Sequence, residues 1–293
     1  MTANDGFRTQ RRWTACLVAV AGMTAAVLSA CASTATTTTA PPRATETTGT
    51  GESAGAVKVS LPPVHAGFDY QIGGPYTPPP GVAIVSRDHT ASPAAGMYNV
   101  CYVNAFQAQP DEQGQWPADL LLHDAHGQVV VDSDWNEALL DISTTDRRAR
   151  VAARVDQWID ECAGKGFNAV ELDNYDSYTR SNGTLTAADA EAFITLPAAH
   201  AHARGLAVGQ KNSADLAGDR SRTHLDFAVA EECAEYDECG TYASAFADHV
   251  LVIEYTDQGL RSACSAFGSR LSIVRRDKGV TAPDHNDYVR RTC

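Results

Sequence analysis

From residue 66 onward, short β-rich runs recur between helical and turn-rich stretches, and this alternation constrains the fold more than any other feature of the chain. The runs are Phe68 to Ile72, Val82 to Ser86, Met97 to Asn104, Asn168 to Asn174, Leu206 to Asn212, Asp226 to Glu231, Val250 to Tyr255 and Leu271 to Arg275. Strands that alternate with helical patterns predict repeated βα units over a parallel sheet. Eight such strands close a (β/α)8 barrel, so the predicted fold is α/β: a single-domain (β/α)8 TIM barrel over residues 57–293. Between the third and fourth runs, Val151, Val155, Trp158, Ile159 and Cys162 share one helical face over Thr145 to Gly164. A second helix is predicted over Thr186 to Arg204, opening on the capping-box-like Thr186-Ala-Ala-Asp189 and stopping at Gly205. Residues 105–145 have no place in this scheme.

Charge collects at the C-terminal ends of the runs. The fourth reads Glu171-Leu-Asp173-Asn174-Tyr175, the fifth ends Lys211-Asn212, the sixth Glu231-Glu232-Cys233 and the seventh Glu254-Tyr255. The first adds Asp69 and Tyr70, and the third Tyr102 and Asn104. In a parallel barrel these ends converge on one mouth, where active sites of this fold sit.

Ahead of the barrel, Arg8, Arg11 and Arg12 precede an apolar stretch from Trp13 to Ala30, the pattern of an export signal. Its end, Leu28-Ser29-Ala30-Cys31, resembles a bacterial lipobox, so residues 1–30 are predicted to be a lipoprotein signal peptide and Cys31 to carry the lipid. Residues 31–56, rich in Thr, Ala, Pro and Gly, hold too little apolar surface to fold. They form a tether with a reach of roughly 25–30 Å. The expected location is therefore the outer face of the cell membrane. Of eight cysteines, Cys101, Cys162, Cys233, Cys239, Cys264 and Cys293 remain in the barrel, an even set that implies disulfides outside the cytoplasm. Cys233–Cys239 and Cys264–Cys293 are the expected local pairs. No Cys-x-x-Cys or clustered histidine spacing suggests a metal site. The net charge of −13 disfavours nucleic acid as a partner and favours a cationic one.

Strand residues two apart face the same side. Glu171 and Asp173 are expected to point inward, since the alternative buries both beneath helices. Asp173 then lies at the mouth with Glu171 one layer lower, and Lys211 on the next strand is the expected partner of Glu171. Two carboxylates flanking a substrate are what glycosidic cleavage requires. Asp173 with either Glu231 or Glu232 fits, and Tyr70, Trp135, Tyr175, Tyr178 and Tyr255 are candidates to stack on sugars. No Gly-x-Ser-x-Gly elbow, phosphate loop or dinucleotide fingerprint offers a rival chemistry.

Taken together, Phe68-Asp-Tyr-Gln-Ile-Gly-Gly, Ala169-Val-Glu-Leu-Asp-Asn-Tyr-Asp, Val208-Gly-Gln-Lys-Asn, Phe227-Ala-Val-Ala-Glu-Glu-Cys and Ile253-Glu-Tyr resemble glycoside hydrolase family 114. These are TIM barrels similar to endo-α-1,4-polygalactosaminidase. The resemblance implies an endo-acting hydrolase of α-1,4-linked galactosamine polymers that uses no metal or organic cofactor. Carried over by motif, Asp173 takes the nucleophile position and Glu231 the acid/base position. Asp69, Tyr70, Tyr102, Glu171, Asn174, Tyr175, Lys211, Asn212, Glu232, Glu254 and Tyr255 are then the expected substrate-binding residues. Leu172 and Ala230 depart from the family pattern, which often has Pro and Asn there. De-N-acetylated galactosamine polymers are cationic, and Asp69, Glu171 and Glu254 are expected to meet their ammonium groups at the rim. A retaining mechanism is expected. Two other readings fit the same residues: a non-catalytic polysaccharide-binding envelope lipoprotein on this barrel, and a hydrolase of a different amino-sugar glycan.

Overall fold

The computed structural model describes residues 59–293. The predicted signal peptide, Cys31 and the tether lie outside the described residues. The barrel strands and the smaller elements between them follow in chain order. They are β1 (Gly67–Tyr70), β2 (Val82–Asp88), β3 (Tyr98–Asn104), β4 (Gln107–Ala108), β5 (Val131–Asp132), β6 (Glu137–Leu139), β7 (Ala169–Asp173), β8 (Ala207–Lys211), β9 (Phe227–Glu231), β10 (Val250–Glu254), β11 (Ser272–Arg276) and β12 (Arg290–Thr292). The helices are α1 (Thr145–Lys165), α2 (Ala187–Ala203), α3 (Arg220–Thr223), α4 (Cys239–Ala245) and α5 (Asp257–Phe267).

The eight predicted runs are the eight parallel strands, hydrogen-bonded in the order β1-β2-β3-β7-β8-β9-β10-β11. The fold is a (β/α)8 TIM barrel. From β3 onward every crossover carries a helix, whereas β1–β2 and β2–β3 are joined by loops. A ninth strand, β12, which no sequence pattern announces, runs antiparallel along the free edge of β11. From there Arg290 donates to the Phe68 carbonyl on β1 at 3.1 Å, linking the two ends of the sheet.

Alternation along the strands separates two cores. Phe68, Ile84, Val100, Ala169, Ala207, Phe227, Val229, Leu251, Ile253 and Val274 fill the barrel interior. The alternate residues pack outward against the helices. Gly209 has a packing reason to lack a side chain, because a Cβ there would lie 2.7 Å from the ring of Phe227, which occupies that space. Helix α1 starts where Thr144 accepts from the Arg147 amide and ends at Gly166, whose φ of 90° is the left-handed C-cap conformation. It buries Val151, Val155, Ile159 and Cys162. Helix α2 has the full reciprocal capping box between Thr186 and Asp189.

Three disulfides join Cys101 to Cys162, Cys233 to Cys239 and Cys264 to Cys293. The two local pairs are as expected. The first staples β3 to α1, and the last ties the chain end beside β12 to α5. Residues 105–145 form a small antiparallel sheet in the order β4-β6-β5, placed at the C-terminal end of β3.

Candidate active site

Side chains from four strands, β1, β3, β7 and β9, reach one buried ammonium. Ala207 and Gly209 face inward, so Lys211, the next inward position of β8, points into the mouth, 3% exposed. Its Nζ lies 3.2 Å from Glu171 Oε1, 3.1 Å from Asp173 Oδ1 and 3.5 Å from Glu231 Oε2. It also donates to the Tyr70 hydroxyl at 3.2 Å. Burial works against the charge on Lys211, but Asp173 and Glu231 beside it outweigh burial and hold its pKa well above the ordinary lysine value.

Asp173 and Glu171 occupy successive inward positions of β7, as expected. Glu171 is fully buried, accepting from Tyr70 at 2.7 Å and from Ser86 at 2.9 Å. Burial pushes its carboxyl above the usual range, against the pull of Lys211. Asp173, one layer higher and 16% exposed, accepts from the Tyr102 hydroxyl at 2.6 Å and the Asn174 amide at 2.8 Å. Burial would raise its pKa too, yet Lys211 and these hydrogen bonds hold it below the ordinary carboxylate range. Asp173 is therefore an ionised carboxylate facing the mouth, with the buried Glu171 beneath it.

Glu231 continues the inward series of Phe227 and Val229 on β9. Asn212 grips it twice, donating to Oε2 at 3.0 Å while accepting from the Glu231 amide at 2.9 Å. The Tyr255 hydroxyl donates to Oε1. Glu232, with φ of 54°, turns the chain away after the strand. Of the two neighbouring glutamates, Glu231 is the one that meets Lys211.

Three expected residues are elsewhere, and Glu171 lies beneath the mouth instead of at its rim. Tyr175 follows Asn174, whose φ of 66° folds the chain back, and its ring is buried against Phe106 and beside Phe193 rather than at the mouth. Glu254 has outward parity, opposite to Ile253. It is fully buried, accepts from the Ala234 amide at 2.9 Å, and occupies the space left by the missing side chain of Gly259. Asp69 likewise alternates with the inward Phe68 and Tyr70. Gln71 at 2.9 Å, Tyr76 at 3.0 Å and the Arg290 guanidinium at 3.1 Å surround it. Glu171 is satisfied from inside. None of Asp69, Glu171 and Glu254 stands at the rim, because each is a buried carboxyl with internal partners.

Conversely, Glu137 on β6 enters the site from the segment without a sequence pattern. Its Oε2 accepts from Asn104 at 2.8 Å and from Asn174 at 3.4 Å. Burial raises its pKa to about 7, the Asn104 hydrogen bond opposes that, and Asp173 adds to it. Arg180 fixes this hairpin to the loop after β7, pairing with Asp132 at 2.7 Å and Asp176 at 2.8 Å and donating to Asn174 Oδ1 at 3.1 Å. Two large aromatic side chains are exposed on loops after the barrel strands: Trp135 (62%) beyond β3 and Tyr236 (60%) beyond β9.

Residues 48–293 match the profile of glycoside-hydrolase family GH114. The chain belongs to that family. As a GH114 member it is a glycoside hydrolase, and its site has what the class needs, two carboxylates converging on one mouth. The fold is similar to that of Aspergillus fumigatus Ega3, solved in complex with galactosamine. That likeness has a TM-score of 0.66 at 24% identity and covers 82% of this chain and 100% of the other. The glycoside hydrolase domain of PelA from Pseudomonas aeruginosa follows, with a TM-score of 0.51 and 14% identity over 76% of this chain and 96% of that one. No match is found among curated proteins.

Proposed function

We propose that this GH114 member is an extracytoplasmic endo-glycosidase that cleaves α-1,4-linked galactosamine polysaccharide with Asp173 as nucleophile and Glu231 as acid/base. The observation that carries this reading is the convergence of both carboxylates on Lys211. A shared ammonium keeps Asp173 ionised for attack and holds the pair at a fixed spacing. Sharing one ammonium draws the two carboxylates together, which supports retention, with carboxyl groups roughly 5–5.5 Å apart, over inversion, which needs roughly 6.5–9.5 Å.

In the first step the Glu231 proton passes to the glycosidic oxygen as the C–O bond breaks and Asp173 bonds to the anomeric carbon. In the second, Glu231 takes a proton from water, whose oxygen displaces Asp173, restoring both groups. Tyr102 and Lys211, bonded to the two Asp173 oxygens, stabilise the carboxylate as it leaves. Exposed Trp135 and Tyr236, on the loops after β3 and β9, are rings that suit stacking on the units of a bound chain, and the galactosamine in the Ega3 complex supports the choice of sugar. Proton NMR of the first product on α-1,4-galactosamine oligomers is expected to show the α-anomer. Initial release of the β-anomer contradicts retention, and no release contradicts the activity.

The lipobox-like Leu28-Ser29-Ala30-Cys31 supports a lipid anchor on Cys31 that holds the enzyme at the outer membrane face. Cys31→Ala is expected to shift the protein from membrane to soluble fractions; unchanged fractionation contradicts the anchor.

A further inference from the structure

Glu137 is not needed for the two steps above, yet the fold places it with care. Its position on β6 comes from the small sheet, which Arg180 clamps to the loop following Asp173. Both amides that reach it, Asn104 Nδ2 and Asn174 Nδ2, go to the same oxygen, Oε2. These amides are themselves fixed. Asn104 Oδ1 accepts from Asn174 at 3.0 Å and from the Gln107 amide at 3.2 Å, while Asn174 Oδ1 accepts from Arg180. Oε1 of Glu137 accepts no hydrogen bond among the described residues.

Nor does any described cation bond to this carboxyl, since Arg180 is engaged by Asp132 and Asp176. Among the charges that act on Glu137, Asp173 and Asp132 oppose its ionisation and the engaged Arg180 favours it. A half-buried carboxyl with one oxygen anchored, one open and like charges nearby favours an incoming cation that donates hydrogen bonds. An alkylammonium fits that description, whereas an acetamido group offers one neutral N–H and a bulky acyl group. Trp135, two residues earlier on the same hairpin, supplies an exposed ring of the kind that packs on a sugar face.

We propose that Glu137 forms a subsite beside Asp173 that receives the ammonium group of an amino sugar, and that it sets a preference for de-N-acetylated over N-acetylated units. This rests on the function proposed above and adds the residue that reads the 2-substituent.

The test compares the full-length protein with Glu137→Gln and Trp135→Ala on two preparations of one α-1,4-galactosamine polymer, de-N-acetylated and N-acetylated. Glu137→Gln keeps the side-chain shape and an oxygen for the asparagine amides. It is expected to raise KM on the de-N-acetylated polymer by roughly ten- to a hundredfold, the worth of one charge-assisted hydrogen bond, with kcat and the N-acetylated polymer little affected. Trp135→Ala is expected to weaken both polymers alike, by about two- to tenfold. An equal loss on both polymers in Glu137→Gln, or none, overturns the subsite. Should the parent cleave neither polymer, the proposed function fails on its own. Calorimetric binding of galactosamine and N-acetylgalactosamine oligomers then decides the subsite separately: a preference for the amine form that disappears in Glu137→Gln supports it, and equal binding by both proteins overturns it.

Discussion

At the residue scale, the site is one cation set among three carboxylates, and the imbalance gives each member its task. Lys211 neutralises Glu171 and Asp173 through direct contacts of 3.2 and 3.1 Å, and Tyr70 links it to the layer below. Removing one partner from a buried ion cluster leaves the others uncompensated and costs about 3–5 kcal/mol. Lys211→Met is therefore expected to lower the unfolding free energy from denaturant titration by about that amount and to reduce kcat at least a hundredfold. A variant of unchanged stability and activity contradicts the account of the cluster. Much of this is legible in the sequence, because period-two alternation puts Glu171 and Asp173 on one face and the next strand offers Lys211 as a partner. What sequence did not separate is which carboxylates at strand ends face the interior. Glu254 and Tyr175 sit in the same kind of motif as Asp173, but one has outward parity and the other follows a left-handed residue. Their burial, visible only in three dimensions, turns a predicted ligand into a packing group.

At the scale of elements, the strands announced themselves and the hairpin did not. The eight runs are apolar enough to be read as buried parallel strands, whereas β4, β5 and β6 are two or three residues long and carry no sustained alternation. Glu137 was invisible for that reason. β12 is equally short, and its pairing depends on the edge that β11 leaves open. The disulfides work at this scale as well. Cys101 and Cys162 are 61 residues apart in sequence and Cys233 and Cys239 only 6. By loop entropy, losing the first costs about 4 kcal/mol and losing the second about 2 kcal/mol. Cys101→Ala/Cys162→Ala is thus expected to reduce thermal stability more than Cys233→Ala/Cys239→Ala. The latter frees the loop next to Glu231 and is expected to depress activity more than stability. The reverse ranking in calorimetry contradicts this assignment.

Across the whole molecule, the barrel explains why chemistry from distant parts of the chain meets at one point. Tyr70, Tyr102, Asp173, Lys211 and Glu231 come from five different strands and Tyr255 directly follows a sixth, and parallel strand order sends their C-terminal ends to the same mouth. Family membership makes the chain a glycoside hydrolase, and that mouth is the proposed place of cleavage. The chain's net charge of −13 agrees with a cationic polymer as substrate. The most direct measurement is reducing-end release from partly de-N-acetylated α-1,4-galactosamine polymer by the purified protein, beside Asp173→Asn and Glu231→Gln, each with its fold verified by circular dichroism. The account predicts release by the parent and a loss of at least a thousandfold in both variants. Full activity in either variant, or binding without release by the parent, contradicts the claim that this carboxylate pair cleaves the polymer.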